Sequence, residues 1–368
     1  MFESKITPIL LVCLFLFSFC ATNKPASSDK MAQKEDKLRL PGEKHLKNIR
    51  QLTYGGNNAE AYWSFKGSKL VFQSDHKAWG ASCDQIYYFD TEKDDLSQKK
   101  PNEISKNIGR TTCSFFMPGD KSIIFASTQT GGVGCPHVPE RKPGGKYVWP
   151  VYSSYELYIA DLKGNIKKRL TDNDFYDAET TVSPDGKKIV YTSTKSGDLE
   201  LYVMDIDGRN EVQVTRDLGY DGGAFFSSDS KKLVFRASRP KSDEERKEYK
   251  ELLSQGLVQP TNMEIYTCNI DGSELRQVTR LGKANWAPYF HPSGSKIIFS
   301  SNHASKRGFE FNLYMVNLDG SGLEQITFDE VFASFPMFSR DGKRISFSSN
   351  RFNNGTHDTN LFVAEWVD

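Results

Sequence analysis

The chain has 368 residues, with 48 Lys and Arg against 47 Asp and Glu, for a net charge of +1. That balance gives no basic footprint for a nucleic-acid partner, and no mid-chain segment is long and apolar enough to read as a membrane span. Aromatic residues make up 12% of the chain, which suits an all-β protein built from aromatic-bearing strands.

Lys5 is followed by an almost wholly apolar run, Ile6–Cys20, too short for a comfortable span and matched to a secretory h-region. With Cys20 at its end and a polar stretch after it, the segment resembles a bacterial lipoprotein signal, which implies a lipid on Cys20. Phe19 departs from that pattern, because a small residue is usual there. An ordinary signal peptide over residues 1–20 is the other reading. Residues 21–44 have almost no apolar content and read as a disordered tether, with a reach on the order of 25–30 Å. The expected location is the bacterial cell envelope, on the periplasmic side or at the outer membrane.

From residue 45 onward one pattern recurs. Val182-Ser183-Pro184-Asp185-Gly186-Lys187-Lys188-Ile189, Phe338-Ser339-Arg340-Asp341-Gly342-Lys343-Arg344-Ile345 and Phe290-His291-Pro292-Ser293-Gly294-Ser295-Lys296-Ile297 are its clearest copies. Its first apolar residue after the turn falls at Leu70, Ile123, Ile189, Leu233, Ile297 and Ile345. Each unit reads as four strands: one entering the Asp-Gly turn, one leaving it, a third such as Leu199–Asp205, and an outer strand ending in Leu-Thr or Val-Thr. Four-stranded units of this size are propeller blades. The outer strand is missing after the last unit, while a spare copy, Ile49-Arg50-Gln51-Leu52-Thr53, precedes the first. The N-terminal strand is therefore expected to complete the last blade and close a six-bladed, all-β propeller over residues 45–368.

The Ser-Pro-Asp-Gly-Lys-Lys-Ile motif, the trailing Tyr191-Thr192-Ser193 and the outer Leu-Thr resemble the propeller repeats of TolB, over about residues 49–366. TolB has a further N-terminal α/β domain where this chain has only its tether. The resemblance is specific for the fold and a poor guide to function, and a role in the Tol–Pal system does not follow from it.

Unusual sequence gathers on one predicted face. Gln129–Tyr155 is a long insertion in blade two. Arg239–Asn262 is another in blade four, with Ser242-Asp243-Glu244-Glu245 as a capping box ahead of a helix. Both are expected to be ordered lids. Cys83 and Cys113 are expected to pair, with Cys135 as the competing partner, and Cys268 to be a buried core residue. Aligning the first strands predicts a channel mouth containing Asn58, Glu60, Asp177, Glu179, Asp221 and Asn285. The residues that follow the second strands add His76, Arg239, His303 and Arg351. A bowl with both signs suits a polar small ligand, a glycan or peptide, or an envelope protein, although ion pairing among these residues is the simpler role for each taken singly.

TolB-like propellers also precede prolyl-oligopeptidase-type catalytic domains, but the sequence has no Gly-x-Ser-x-Gly elbow. Some related propellers are metal-dependent lyases of acidic saccharides. The six His of this chain show no metal-site spacing. The expectation is a monomeric, membrane-tethered binding module without cofactor or catalytic residues, with the lyase or a hydrolase of acidic saccharides as the alternative.

Overall fold

The computed structural model describes residues 36–139, 145–353 and 355–368. The signal segment, Cys20 and most of the predicted tether lie outside them.

Six four-stranded antiparallel sheets follow one another. Their first strands are Asn58–Trp63, Thr111–Phe116, Asp177–Val182, Asp221–Phe226, Asn285–Phe290 and Ala333–Phe338. Each touches the first strands of the two neighbouring blades, so the six ring a central channel. The sequence motif has a separate job at each position. In blades three, four and six the turn serine hydroxyl donates to the turn aspartate, as Ser183 does to Asp185 at 2.6 Å, which fixes the hairpin. Two residues beyond the first apolar position stand Phe72, Phe125, Tyr191, Phe235, Phe299 and Phe347, all fully buried. Each contributes on the order of 1.5–3 kcal/mol by its burial.

The hydroxyl that ends each outer strand accepts the N–H of the third strand beside it. Thr171, Thr215, Thr279 and Thr327 bond Leu157, Leu201, Ile265 and Leu313 at 2.8–2.9 Å. Ser105 takes the same place in blade one, bonding Ile86.

Blade six is closed by the N-terminal strand as expected. Leu46–Gln51 pairs with Asn360–Trp366, placing Leu46 opposite Trp366 and Gln51 opposite Phe362. Thr53 makes the outer-strand bond there, to Leu361 N at 2.8 Å. The packed chain begins before the predicted boundary at 45. Residues 36–38 form a 3-10 turn, and Glu43 is fully buried against Arg351 at 2.6 Å. The carboxylate of Glu43 finds a buried cation, and composition alone does not show that.

Candidate functional site

The first strand of every blade breaks register at the same point. The residue there has a left-handed backbone in all six: Glu60, Cys113, Glu179, Gly223, Ala287 and Phe335, with φ between 47° and 61°. Such bulges re-aim side chains, and these six all line one cavity of about 410 Å³. Two residues further on, Tyr62, Phe115, Phe225 and Tyr289 meet in tilted and edge-to-face contacts, with ring centroids 5.2–6.5 Å apart. They plug the channel and give the cavity its floor.

The roof comes from the two insertions. Trp149–Pro150 of blade two pairs with Leu257–Val258 of blade four as a two-stranded antiparallel ribbon. Val151 N donates to Gly256 O at 2.7 Å, and Lys146 is ion-paired with Glu248. The helix α1, Asp243–Ser254, carries the predicted capping box between Ser242 and Glu245. Its buried Tyr249 donates to Asp198 of blade three. Trp149 packs 5.3 Å from Trp286 of blade five, so the roof spans several blades.

Inside, Glu179 is held from four directions. Arg236 Nη2 lies 2.5 Å from its Oε1, and Tyr220 donates to the same oxygen. Thr192 Oγ1 and Gly223 N each lie 2.8 Å from Oε2. A β-carbon on Gly223 would collide with Arg236, and one on Gly222 with Glu179. The glycine pair therefore leaves room for the ion pair. Arg110 and Asp84 form a second pair at 2.5 Å, and burial raises the Asp84 carboxyl. Glu60 has only the Cys113 thiol, a weak donor, as a side-chain hydrogen-bond partner among the described residues. Burial pushes its carboxyl from 4.5 up to about 7; the Glu179 charge adds to the rise, and the thiol and Arg236 oppose it.

Of the ten predicted mouth residues, only Glu60 and Glu179 line this cavity. Asn58 and Asn285 are buried and donate to backbone carbonyls, of Thr359 and Met263 among others. Asp177 accepts from Asn173 at 2.8 Å. Asp221 is ion-paired with Arg239, and Arg351 with Glu43 and Asp329. His76 caps a short 3-10 turn and stacks on Trp79 at 4.3 Å. His303 bonds Ser301 and meets Tyr314. Among the described residues, no three His, Cys, Asp or Glu side chains gather as a metal site.

The disulfide also differs from expectation: Cys83 is bonded to Cys135, with 6.0 Å between Cα atoms. Cys113 is free because its bulge turns the thiol into the channel. The bridge fastens the blade-two insertion to blade one. Sequence reasoning missed Arg236, Tyr176, Tyr220, Trp149 and Trp286. Arg236 had a signal, since its strand position holds Gln73, Ala126, Thr192, Ser300 and Ser348 in the other blades, and Gly222-Gly223 lies opposite.

Repeat, closure and plugged channel define a six-bladed β-propeller. The family described as TolB beta propeller domain matches residues 133–242. No curated protein matches the chain in sequence. Among solved structures, one from Agrobacterium tumefaciens assigned to TolB is similar with a TM-score of 0.55 and 20% identity, over 85% of this chain and 91% of that one. TolB from Acinetobacter baumannii gives 0.52 and 17%, over 85% of this chain and 64% of its own. Hydrazine synthase from Kuenenia stuttgartiensis gives 0.53 and 14%, over 74% and 39%. At these identities the likeness is one of fold, and an enzyme shares it. No helix among the described residues is long and apolar enough to cross a membrane.

Proposed function

We propose that this chain is an envelope-tethered binding module whose ligand site is the roofed channel cavity. The observation that carries this reading is the ribbon between two separate insertions. Two long loops in different blades have no structural need to pair with each other over the channel, and together they enclose a volume suited to a small polar ligand. Anchoring through Cys20, with the tether holding the propeller near a membrane, completes the proposal. The competing saccharide lyase has less support, because His76 and His303 are engaged outside the cavity.

The test is a thermal-shift screen of the full-length protein against muropeptides, acidic oligosaccharides and short peptides. A ligand at 100 times its Kd adds about 2.7 kcal/mol to stability. The expected result is a shift that Trp149→Ala removes. If no compound shifts the protein and an envelope pull-down captures a partner equally with wild type and Trp149→Ala, the cavity is not the binding site. Turnover of an acidic oligosaccharide by wild type would establish the lyase instead.

A further inference from the structure

The proposed site has a charge pattern that narrows its ligand. Glu179 and Arg236 neutralise each other, as do Asp84 and Arg110. Glu60 is left over: among the described residues no Lys, Arg or His forms an ion pair with it. It is half-buried and held by a left-handed backbone, a conformation disfavoured for a non-glycine residue and retained where the surroundings enforce it. The bulge aims a lone carboxylate into a cavity rather than toward water.

The walls around it are aromatic. Tyr62, Tyr155, Tyr176, Tyr220, Trp149 and Trp286 line the same space. Rings of this kind present negative faces to a cation. These walls already do so for one guanidinium: the Arg236 head lies 5.5 Å from the Trp149 ring centroid and 4.8 Å from that of Tyr220. An anionic ligand would oppose ionisation of the unpaired carboxyl group, whereas a cation would favour its charged form and neutralise it.

Resting on the roofed-site reading above, we infer that the cavity binds an organic cation, an ammonium or guanidinium group, with Glu60 as its counter-ion and the aromatic walls as its cage. About 410 Å³ accommodates a free amine or the end of a basic side chain.

Isothermal titration calorimetry on the full-length protein tests this, with agmatine, cadaverine and the tripeptide Ala-Lys-Ala as probes and digalacturonate as the acidic control. Agmatine or cadaverine is expected to bind wild type, to weaken at least tenfold in Glu60→Gln, and to recover in part in Glu60→Asp. Tighter binding of the tripeptide than of cadaverine would assign the cation to a peptide, and the reverse to a free amine. Thermal melts check that each variant is folded. No binding of any cationic probe, or binding to Glu60→Gln within twofold of wild type, overturns the inference. If digalacturonate binds and Trp149→Ala abolishes that binding, the roofed site stands and only its cationic preference falls. If a cation binds wild type, Glu60→Gln and Trp149→Ala alike, both readings fall.

Discussion

Glu179 of blade three and Arg236 of blade four meet at 2.5 Å, and both side chains are 8% exposed. The pair ties an inner strand to the second strand of the next blade, beneath the roof and above the aromatic plug. Burying two charges costs more than their attraction alone returns, so removing one partner is worse than removing both. Arg236→Ala is expected to destabilise the protein by about 3–5 kcal/mol, because Glu179 stays buried without its cation. The double variant Glu179→Gln with Arg236→Met should recover much of that loss. Chemical denaturation of the three variants measures it. Equal losses in the single and double variants would show that the pair is incidental.

Glu60 makes the stability of the fold depend on pH. Burial holds its proton up to about pH 7, against 4.5 for an ordinary glutamate. A carboxyl raised in the folded state contributes stability that is fully present below about pH 4.5 and is lost as pH rises through about 7. The groups facing it act in opposite senses: Glu179 and Asp84 raise it, and Arg236 and the Cys113 thiol lower it. Glu60→Gln removes the titration. Its stability relative to wild type is expected to rise by on the order of 3 kcal/mol between pH 4.5 and pH 8. Urea midpoints for both proteins at the two pH values decide it, and a constant gap would mean that Glu60 titrates normally.

The bridge between Cys83 and Cys135 closes a loop with a sequence separation of 52. Losing it should cost about 2–4 kcal/mol. The loss should be local, because the bond fastens the blade-two insertion and leaves the inner strands alone. Cys135→Ser is expected to speed proteolysis within residues 129–155 before the propeller melts. Peptide mapping without reductant should show the Cys83 and Cys135 peptides joined and Cys113 unmodified. A Cys83–Cys113 crosslink would contradict the channel-facing thiol.

The fold was legible because its signals are local and repeat six times. Thr53 ahead of blade one announces the closing strand, since the same hydroxyl-to-amide bond ends the other outer strands. The site was only partly legible, and the left-handed bulge is the reason. Asn58 and Glu60 are two apart and would share a face in a regular strand. With an extra residue at Glu60, Asn58 turns into the seam beside Thr359 while Glu60 faces the channel. Glu, Cys, Ala and Phe at a positive φ leave no mark in sequence; only Gly223 hints at it. Arg239 and Arg351, which read from sequence as part of a mouth, serve instead as structural counter-ions. The roof was foreseen as two lids, but their pairing depends on Trp149 and Val258 meeting across 109 residues, a contact that no local pattern specifies.

Closure depends on a buried three-residue cluster in which Arg351 is the cation for both Glu43 and Asp329. Glu43 belongs to the segment leading into the closing strand, and Asp329 to the loop entering blade six, so Arg351 fastens the ends of the ring together. The acids and the cation are not equivalent. Removing Glu43 leaves Arg351 neutralised by Asp329 and costs one interaction. Removing Arg351 leaves two carboxylates buried beside each other without a cation. Glu43→Ala is therefore expected to destabilise the protein modestly, by about 1–3 kcal/mol, and Arg351→Ala by about 3–5 kcal/mol or more. Hydrogen exchange adds a readout that global stability does not. In Arg351→Ala, amides of Leu46–Gln51 and Asn360–Trp366 should exchange faster than those of blade three, because the ring opens at its seam before the other blades lose structure. Uniform acceleration across all six blades would mean that the seam is no weaker than the rest, and that the N-terminal strand is held by its backbone pairing and by Leu46 and Ile49 rather than by the charge cluster.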